Sequence, residues 1–243
     1  MAKYTIDAIG WISSPFTQKF AVPRQPGLVT AAEATIILNP PYAQPDMLRG
    51  LSEFSHLWVS FLFHQNIAQG WQPLVRPPRL GGNEKLGVYA TRSSFRPNHI
   101  GLSAVKIEAI EANADTCSIR VSGADWVHGT PVIDIKPYLP YSDQISGATG
   151  GFAAAAPTLL DTEFSATAVQ QIQQLTAAFP TRYPQLTDLI RQVLAQDPRP
   201  AYHRQSAPER EYGMALWDLN IRWRVENQQN IVISVEQGFV EPQ

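Results

Sequence analysis

The chain has 243 residues, a formal net charge of −2, 44% apolar residues and a single cysteine. This length suits one large domain or two small ones and provides ample chain for a hydrophobic core. One cysteine excludes an intrachain disulfide and a cysteine-rich zinc site, and a charge so close to zero means that any nucleic-acid surface is a local patch. No signal-peptide or membrane-spanning apolar run occurs, so we expect a cytoplasmic location.

Short apolar segments, most of them alternating with polar residues and separated by turn residues, occupy the first half of the chain. They predict strands at Tyr4–Ser13, Ala34–Leu38, Phe54–Gln65, Leu86–Arg92, Leu102–Glu111, Thr116–Asp125 and Thr130–Leu139. Cys117 lies at an apolar position of one strand, which favours a buried thiol over a nucleophile. Many short strands with few helices are typical of a β-barrel or a β-sandwich.

The most apolar of these segments, Phe54–Gln65, is nearly continuous rather than alternating. This pattern predicts a strand that is covered on both faces, or one whose outer face packs against a partner subunit. His56 and His64 bracket the segment. We interpret them as hydrogen-bonded core or rim histidines rather than as metal ligands.

Polar residues gather at the breaks between the predicted strands. One break carries Arg92 and Arg96, and Pro97 biases Arg96 away from helical backbone, so both charges sit on a stiff loop. Such a loop suits an anionic ligand, although a surface loop with solvated arginines explains the residue types equally well. Several breaks of a barrel can meet at one end, where ligand pockets often form. The breaks concerned are residues 25–28, 64–66, 92–99 and 123–128.

A further loop, residues 76–79 with the sequence RPPR, is rigid and basic. Its two prolines restrict the backbone on either side of the turn. The loop suits contact with phosphate, and it equally suits simple exposure to solvent. Residue types alone do not separate these two interpretations.

The character of the chain changes after residue 145. Residues 146–160 are small and low in charge, which predicts a linker between a first domain, 1–145, and a second domain, 161–243. Apolar residues at helical spacing predict one helix at Ser165–Phe179 and a second that ends near Gln196, because proline follows Asp197. Alternation predicts a hairpin of strands Ala215–Val225 and Ile231–Glu236, which makes the second domain small and α+β.

Common catalytic signatures are missing: the chain has no GxGxxG after a strand, no P-loop, no HExxH and no GxSxG. Residue types alone leave three classes open: an enzyme acting on a nucleotide-like substrate, a non-catalytic RNA-binding barrel and a metal-dependent hydrolase. The hydrolase would use residues without tight ligand spacing, namely His56, His64, His99, His128, Asp125 and Asp134. The segment Asp197–Tyr202 offers an arginine for phosphate and a tyrosine for base stacking, or it is a helix-terminating turn.

Five ordered motifs resemble the TsaA-like family of bacterial tRNA (adenine-N6)-methyltransferases. They are RQPGL at 24–28, FSHLWVSFLFHQ at 54–65, GVYATRSSFRPNHIGLS at 87–103, GTPVIDIKPYLPYSD at 129–143 and DPRPAY at 197–202. The resemblance covers nearly the whole chain and implies a small closed β-barrel, unrelated to Rossmann methyltransferases, that binds S-adenosylmethionine. It also implies a homodimer with the cofactor near the subunit interface. The implied reaction adds an N6-methyl group to N6-threonylcarbamoyladenosine beside the anticodon of tRNA for threonine.

The resemblance also assigns site residues. Its cofactor contacts correspond here to Pro26, Gly27, Leu28, Gln65, Asn66, Arg92, Leu102, Ser122, Gly123, Ala124 and Asp125. The candidates for contact with substrate or tRNA are Arg96, Asp197, Arg199 and Tyr202, and Tyr202 is also the candidate catalytic residue. Two positions depart from the family pattern: His99, where RPNP is usual, and His128, where an aspartate is common. No metal is expected.

Overall fold

The computed structural model describes residues 3–199 and 210–238. The strands of its first half are β1 (Gly10–Ser13), β2 (Glu33–Leu38), β3 (His56–Leu62), β4 (Leu74–Val75), β5 (Leu86–Gly87), β6 (Ile100–Ala112), β7 (Cys117–Ser122) and β8 (Thr130–Pro137). An antiparallel barrel closes in the order β1-β2-β7-β6-β3-β8, while β4 and β5 pair separately. The prediction of a mainly β chain with a closed barrel is therefore confirmed.

Strand β3 shows how the barrel buries its core. Leu57, Val59 and Phe61 point inward and are at most 4% exposed, whereas the alternate residues on the outer face stay partly exposed. Phe54 and Phe63 make the segment look continuous in the sequence, but they lie outside the strand, in the turns that flank it. The prediction that this strand is covered on both faces is therefore wrong for the single chain. The alternative prediction, that its outer face packs against a partner subunit, stays a prediction.

The second half of the chain builds a four-stranded sheet with two helices packed on it. Its elements follow a one-turn helix α1 (Pro140–Asp143) and are β9 (Asp161–Phe164), α2 (Ala166–Ala178), α3 (Leu186–Ala195), β10 (Glu211–Leu216), β11 (Leu219–Glu226) and β12 (Gln229–Gln237). The sheet order is β10-β11-β12-β9, with β9 parallel to β12 and the other pairs antiparallel. This is the small α+β unit that the sequence predicted.

Local chemistry explains where helix α2 begins and where helix α3 ends. The Ser165 hydroxyl accepts a hydrogen bond from the Ala168 N–H at 3.1 Å and caps the start of α2. Helix α3 ends at Ala195, as Pro198 predicts. Its apolar stripe is buried and consists of Leu186, Leu189, Ile190, Val193 and Leu194. None of the helices in the described ranges is long and apolar enough to cross a membrane.

Hydrogen bonds tie the second half of the chain to the barrel half. The Trp217 N–H donates to the Pro15 carbonyl at 2.7 Å, and the Gln192 side chain accepts from the Ala31 N–H at 3.0 Å. These bonds join helix α3 and the β10–β11 turn to the loops that precede β2. The end of α3 is consequently held close to the barrel segment that carries residues 19–24.

Two strands of the first half are less than half as long as predicted. Strand β1 begins at Gly10 rather than Tyr4, and Tyr4 is 85% exposed, so the early alternation has no partner strand to pair with. The predicted strand Leu86–Arg92 is reduced to the two residues of β5, because Val88–Ala90 turns into a 3-10 helix. Cys117 is buried in β7, as expected from its apolar position.

The C-terminal hairpin also needs correction. The predicted strand Ala215–Val225 is two strands, β10 and β11, separated by a turn at Trp217 and Asp218. Trp217 has a φ of 51°, a left-handed backbone conformation that is rare for a bulky residue. A tryptophan in the sequence therefore does not indicate a turn. A two-residue turn also preserves the apolar alternation, so the pattern runs through the turn without a break. Strand β10 was therefore not separated from β11. The short strand β9, which precedes the predicted first helix, was also not predicted.

Gly101 provides a test of the barrel packing. An added methyl group at Gly101 would lie 2.3 Å from Cζ of Phe61, whose ring also contacts Phe63 and Trp126 edge-on. We expect Gly101→Ala to lower the free energy of unfolding by about 1–3 kcal/mol, because overpacking forces core rings from their preferred rotamers. Urea denaturation measures the change. In the control Gly87→Ala the methyl meets no atom within 4 Å, and an equal loss there would contradict the packing explanation.

Candidate functional site

Two glycines bring two loops at one end of the barrel into direct contact. The Gly27 N–H donates to the Gly123 carbonyl at 2.9 Å, and an added methyl on Gly123 would lie 3.1 Å from the Gly27 Cα. Both residues have a positive φ, 77° and 76°, which glycine adopts without steric cost. The segments 26–28 and 122–125 are therefore adjacent.

A pocket of about 220 Å³ lies next to the second of these segments, and we call it the mouth pocket. It is lined by Lys19, Val22, residues 61–66, Ser94, residues 125–127 and Thr130. Three of the four strand breaks chosen from the sequence thus contribute to one cavity. The fourth, residues 25–28, joins it through the Gly27–Gly123 contact. The predicted convergence at one barrel end is confirmed.

Asp125 is the acidic residue of the mouth pocket. Its Oδ1 accepts a hydrogen bond from the Ser103 hydroxyl at 2.8 Å. Burial raises the pKa of Asp125 to about 6, against the opposing effects of the Ser103 bond and the positive charge of Arg92. Burial also lowers the pKa of His64 in the same pocket, which favours its neutral form. Two titratable groups in one cleft whose pKa values are shifted by burial are typical of a functional site.

Arg92 and Arg96 occupy different environments on their shared loop. Arg92 is exposed, and its Nη1 donates to Oε1 of Gln25 at 2.5 Å, which ties the loop to the segment before Gly27. Arg96 is half-buried, and its Nη1 donates to the carbonyl of Thr91 at 3.0 Å. Arg92 therefore faces the converging segments, while Arg96 also holds its own loop in shape.

The turn after Arg96 is tight. The His99 N–H donates to the Arg96 carbonyl at 3.1 Å, and Asn98 has the left-handed φ of 64° that its residue type tolerates. His99 itself has a φ of 51°, and its ring Nδ1 lies 3.0 Å from the carbonyl oxygen of Ser94. The stiffness predicted for this loop thus comes from closed hydrogen bonds as well as from Pro97.

One of the assigned cofactor contacts, Leu102, has a side chain that points away from the mouth pocket. It is 53% exposed on the outer face of β6, whereas the neighbouring Ser103 points inward and is 1% exposed. Sequence reasoning missed Ser103 and Lys19. The signal for Ser103 was available, since a hydroxyl at an inward position between Gly101 and Val105 needs a buried partner.

The DPRPAY segment begins where α3 ends. Arg199 is 8% exposed and donates to both carboxylate oxygens of Asp197, at 2.6 and 3.1 Å. This bidentate bond raises the pKa of Arg199 and occupies its guanidinium. Asp197 has a φ of 49°, which turns the chain sharply after the helix. Tyr202, the candidate catalytic residue, lies outside the described residues.

The four histidines of the described residues do not assemble into a metal site. Within residues 3–199 and 210–238 no group of three or more His, Cys, Asp or Glu side chains could hold a metal ion. His128 is exposed and packs edge-on against Trp11 with ring centroids 5.6 Å apart. His56 lies at the exposed start of β3, away from the mouth pocket lining that includes His64.

Comparison with known proteins agrees with this architecture. The family models for the tRNA-methyltransferase O N-terminal domain and the TrmO C-terminal domain match residues 11–144 and 157–238. The chain is 47% identical to a tRNA (adenine(37)-N6)-methyltransferase from Escherichia coli strain K12, over 93% of this chain and 94% of that protein. It is 41% identical to a human protein of the same name, over 56% of this chain and 30% of that protein. A crystal structure of TrmO from Pseudomonas aeruginosa matches it with a TM-score of 0.81 at 38% identity, covering 97% of this chain and 99% of that chain.

The fold and these likenesses define the class: a tRNA-modifying methyltransferase built on a β-barrel with a second α+β unit. The resemblance seen in the sequence motifs is thereby confirmed over nearly the whole chain. The chain belongs to the tRNA-methyltransferase O family.

The shifted pKa of Asp125 predicts a pH-dependent stability. Its folded value of about 6 lies above the ordinary 3.8, so ionisation costs stability at neutral pH, and that cost disappears as the pH falls towards 4. We expect Asp125→Asn to be more stable than the wild type at pH 7.5 by on the order of 2–3 kcal/mol. Chemical denaturation across this pH range measures the difference.

The variant Ser103→Ala should change the stability at neutral pH in the opposite direction to Asp125→Asn. Loss of its hydrogen bond raises the pKa of Asp125 further, so this variant should lose more stability at pH 7.5 than at pH 4. A gain for Asp125→Asn that does not change with pH would contradict the burial of a titrating carboxyl.

Proposed function

We propose that the chain is an S-adenosylmethionine-dependent enzyme that methylates N6 of N6-threonylcarbamoyladenosine beside the anticodon of tRNA for threonine. Its family membership supports methyl transfer to tRNA, and the relatives named tRNA (adenine(37)-N6)-methyltransferase support the target base. The observation that carries the proposal is that Gln65, Asn66 and Asp125 line one pocket. The Gly27–Gly123 contact joins the assigned residues 26–28 to the segment 122–125 that enters this pocket. We infer a cytoplasmic location because the substrate is tRNA.

The residues at the barrel mouth fit S-adenosylmethionine. Asp125 offers a carboxylate to amino or hydroxyl groups, and the amide of Asn66 lies in the same lining. Phe61 and Val22 supply apolar surface, and the exposed Gly27 presents backbone with no atom within 4 Å of where its side chain would start. When bound, the cofactor supplies a methyl group on a sulfonium. The chain supplies alignment, because an in-line displacement gains much of its rate from positioning.

The threonyl carboxylate distinguishes the proposed target from plain adenosine. Guanidinium groups bind carboxylates in a bidentate manner, and Arg92 is exposed towards the converging segments. We assign Arg92 to a carboxylate of the cofactor or of the modified base. Arg96 donates one hydrogen bond to its own loop and has further donors for the threonyl carboxylate or a tRNA phosphate. Selection of the carboxylate would make unmodified adenosine a poor substrate.

Proton removal need not demand a strong base. The carbamoyl group withdraws electrons from N6, so its N–H is more acidic than that of plain adenosine. We therefore assign Asp125 to binding rather than to proton transfer. Tyr202 remains the candidate for stacking on the target or deprotonating it, and the Asp197–Arg199 pair holds the turn that leads to it.

A homodimer is part of the proposal. Ile100 and Leu102 are 37% and 53% exposed on the outer face of β6, next to the outer face of β3. Leu102 is also an assigned cofactor contact, although its side chain points away from the mouth pocket of its own chain. A partner subunit seated on this face would explain both facts.

Nucleoside mass spectrometry tests the reaction. Incubation with S-adenosylmethionine and tRNA bearing threonylcarbamoyladenosine should add one methyl group to that nucleoside. The same tRNA without the threonylcarbamoyl group should remain unmethylated at that adenosine. Absence of a mass gain from protein shown to bind the cofactor would favour the alternative, a non-catalytic RNA-binding barrel.

Sedimentation equilibrium tests the dimer. The wild type should have twice the 27.0 kDa mass of one chain, and Ile100→Glu should shift it to monomer, because burying a charge at an apolar interface is costly. The matched control is Ile6→Glu, at a residue that is 58% exposed before β1. A monomeric wild type, or equal dissociation of both variants, would contradict the proposed homodimer interface.

A further inference from the structure

A groove runs beside the mouth pocket, and the proposed function gives a role to few of its lining residues, among them Val22 and Arg92. It consists of two adjoining concavities of about 370 and 820 Å³, and both are lined by Arg24, Arg76 and Pro78. One wall is the 76–79 loop of the barrel half. The opposite wall of the smaller concavity is the end of α3, with Val193 and Gln196. We call this feature the basic groove.

Charge is concentrated in the basic groove. Its lining includes Lys19, Arg24, Arg76, Arg79, Arg92 and Arg199. Among the described residues that line it, none is an aspartate or glutamate. The whole chain carries a net charge of −2, so this is a local patch rather than a general property. A concave surface lined by one sign of charge focuses the field on an anionic ligand.

The 76–79 loop is built to present its arginines. Pro77 is buried and anchors the loop, while Arg76 and Arg79 on either side are exposed. Arg79 hydrogen-bonds the carbonyl of Ala155, which positions its side chain without neutralising its charge. Arg199 differs, because Asp197 already holds its guanidinium. The principal contacts for an anion are therefore Arg76 and Arg79.

An aromatic side chain completes the surface. Tyr89 lines the larger concavity and is 79% exposed. A large exposed ring beside several arginines is the combination that binds single-stranded nucleic acid, in which bases stack on aromatic rings and phosphates pair with cations.

Both concavities of the basic groove adjoin the mouth pocket. Its smaller concavity shares Lys19 and Val22 with the mouth pocket, and its larger one shares Ser94. A chain lying in the groove would thus reach the pocket that contains Asp125. This continuity identifies the ligand as the part of the substrate that flanks the target nucleotide.

We propose that the basic groove binds a single-stranded segment of tRNA next to the target nucleotide, with Arg76 and Arg79 on its phosphates and Tyr89 stacked on a base. This inference rests on the proposed tRNA substrate and adds where that substrate lies. It also gives the RPPR loop a role in binding.

Equilibrium binding of tRNA at several salt concentrations tests the groove. The double variant Arg76→Gln, Arg79→Gln should weaken binding about 10- to 100-fold near 0.1 M salt and reduce the slope of log Kd against log salt by about 2. Tyr89→Ala should weaken binding about 5- to 100-fold and leave that slope unchanged. The single variant Arg76→Gln should lower the slope by about 1 and leaves the Arg79–Ala155 contact intact.

The matched control is the double variant Arg49→Gln, Arg222→Gln. It removes two exposed arginines that line neither the groove nor the mouth pocket. If the groove double variant keeps the affinity and salt slope of this control, the groove inference is overturned. S-adenosylmethionine affinity and thermal unfolding should match the wild type in every variant.

The binding assay is independent of turnover, so the two proposals fail separately. Wild-type protein that binds tRNA through the groove without methylating it would overturn the proposed reaction and retain the groove. Wild-type protein that methylates tRNA while the groove double variant behaves like the control would retain the reaction and overturn the groove.

Discussion

The close approach of Gly27 and Gly123 is the constraint on which the candidate site depends. Their backbones meet through a 2.9 Å hydrogen bond, and a methyl group on Gly123 would lie 3.1 Å from the Gly27 Cα. The contact joins a loop after β1 to the end of β7, which are distant in sequence. Two residues beyond Gly123, Asp125 enters the mouth pocket and receives the Ser103 bond from β6. The barrel thus supplies rigid strands, and one backbone contact sets the spacing of the loops that they carry.

The described residues of the second half help to position the barrel loops and form one wall of the basic groove. The Trp217–Pro15 and Gln192–Ala31 bonds hold it against the barrel loops, and the end of α3 becomes a wall of the basic groove. A segment of RNA in that groove would touch both halves while one nucleotide reaches the mouth pocket. Loops carry the chemistry in such an arrangement, and the packing between the halves decides how the loops face each other.

Much of the fold could be predicted because alternation and helix stops are local signals. The barrel strands β2, β6, β7 and β8 and the end of α3 followed from them directly. The split between β10 and β11 could not be predicted, because Trp217 adopts a left-handed conformation that depends on its contact with Pro15. The convergence at the barrel mouth was predicted from strand breaks, whereas Ser103 and Lys19 were missed. The alternation of β6 shows that Ser103 points inward, but it does not show that its partner is Asp125. The partner of Lys19, the Gln65 carbonyl, likewise lies on a loop distant in sequence. The raised pKa of Asp125 likewise depends on burial, which only the folded chain defines.

The turn at His99 has a consequence for how this sequence can change. Its φ of 51° and its N–H bond to the Arg96 carbonyl are both impossible for proline, which lacks the N–H and is restricted to a φ near −65°. A proline therefore cannot replace His99 in this chain while the surrounding turn stays as it is. The position is thus coupled to its neighbours, and any residue placed there has to accept the left-handed turn and supply the N–H that closes it.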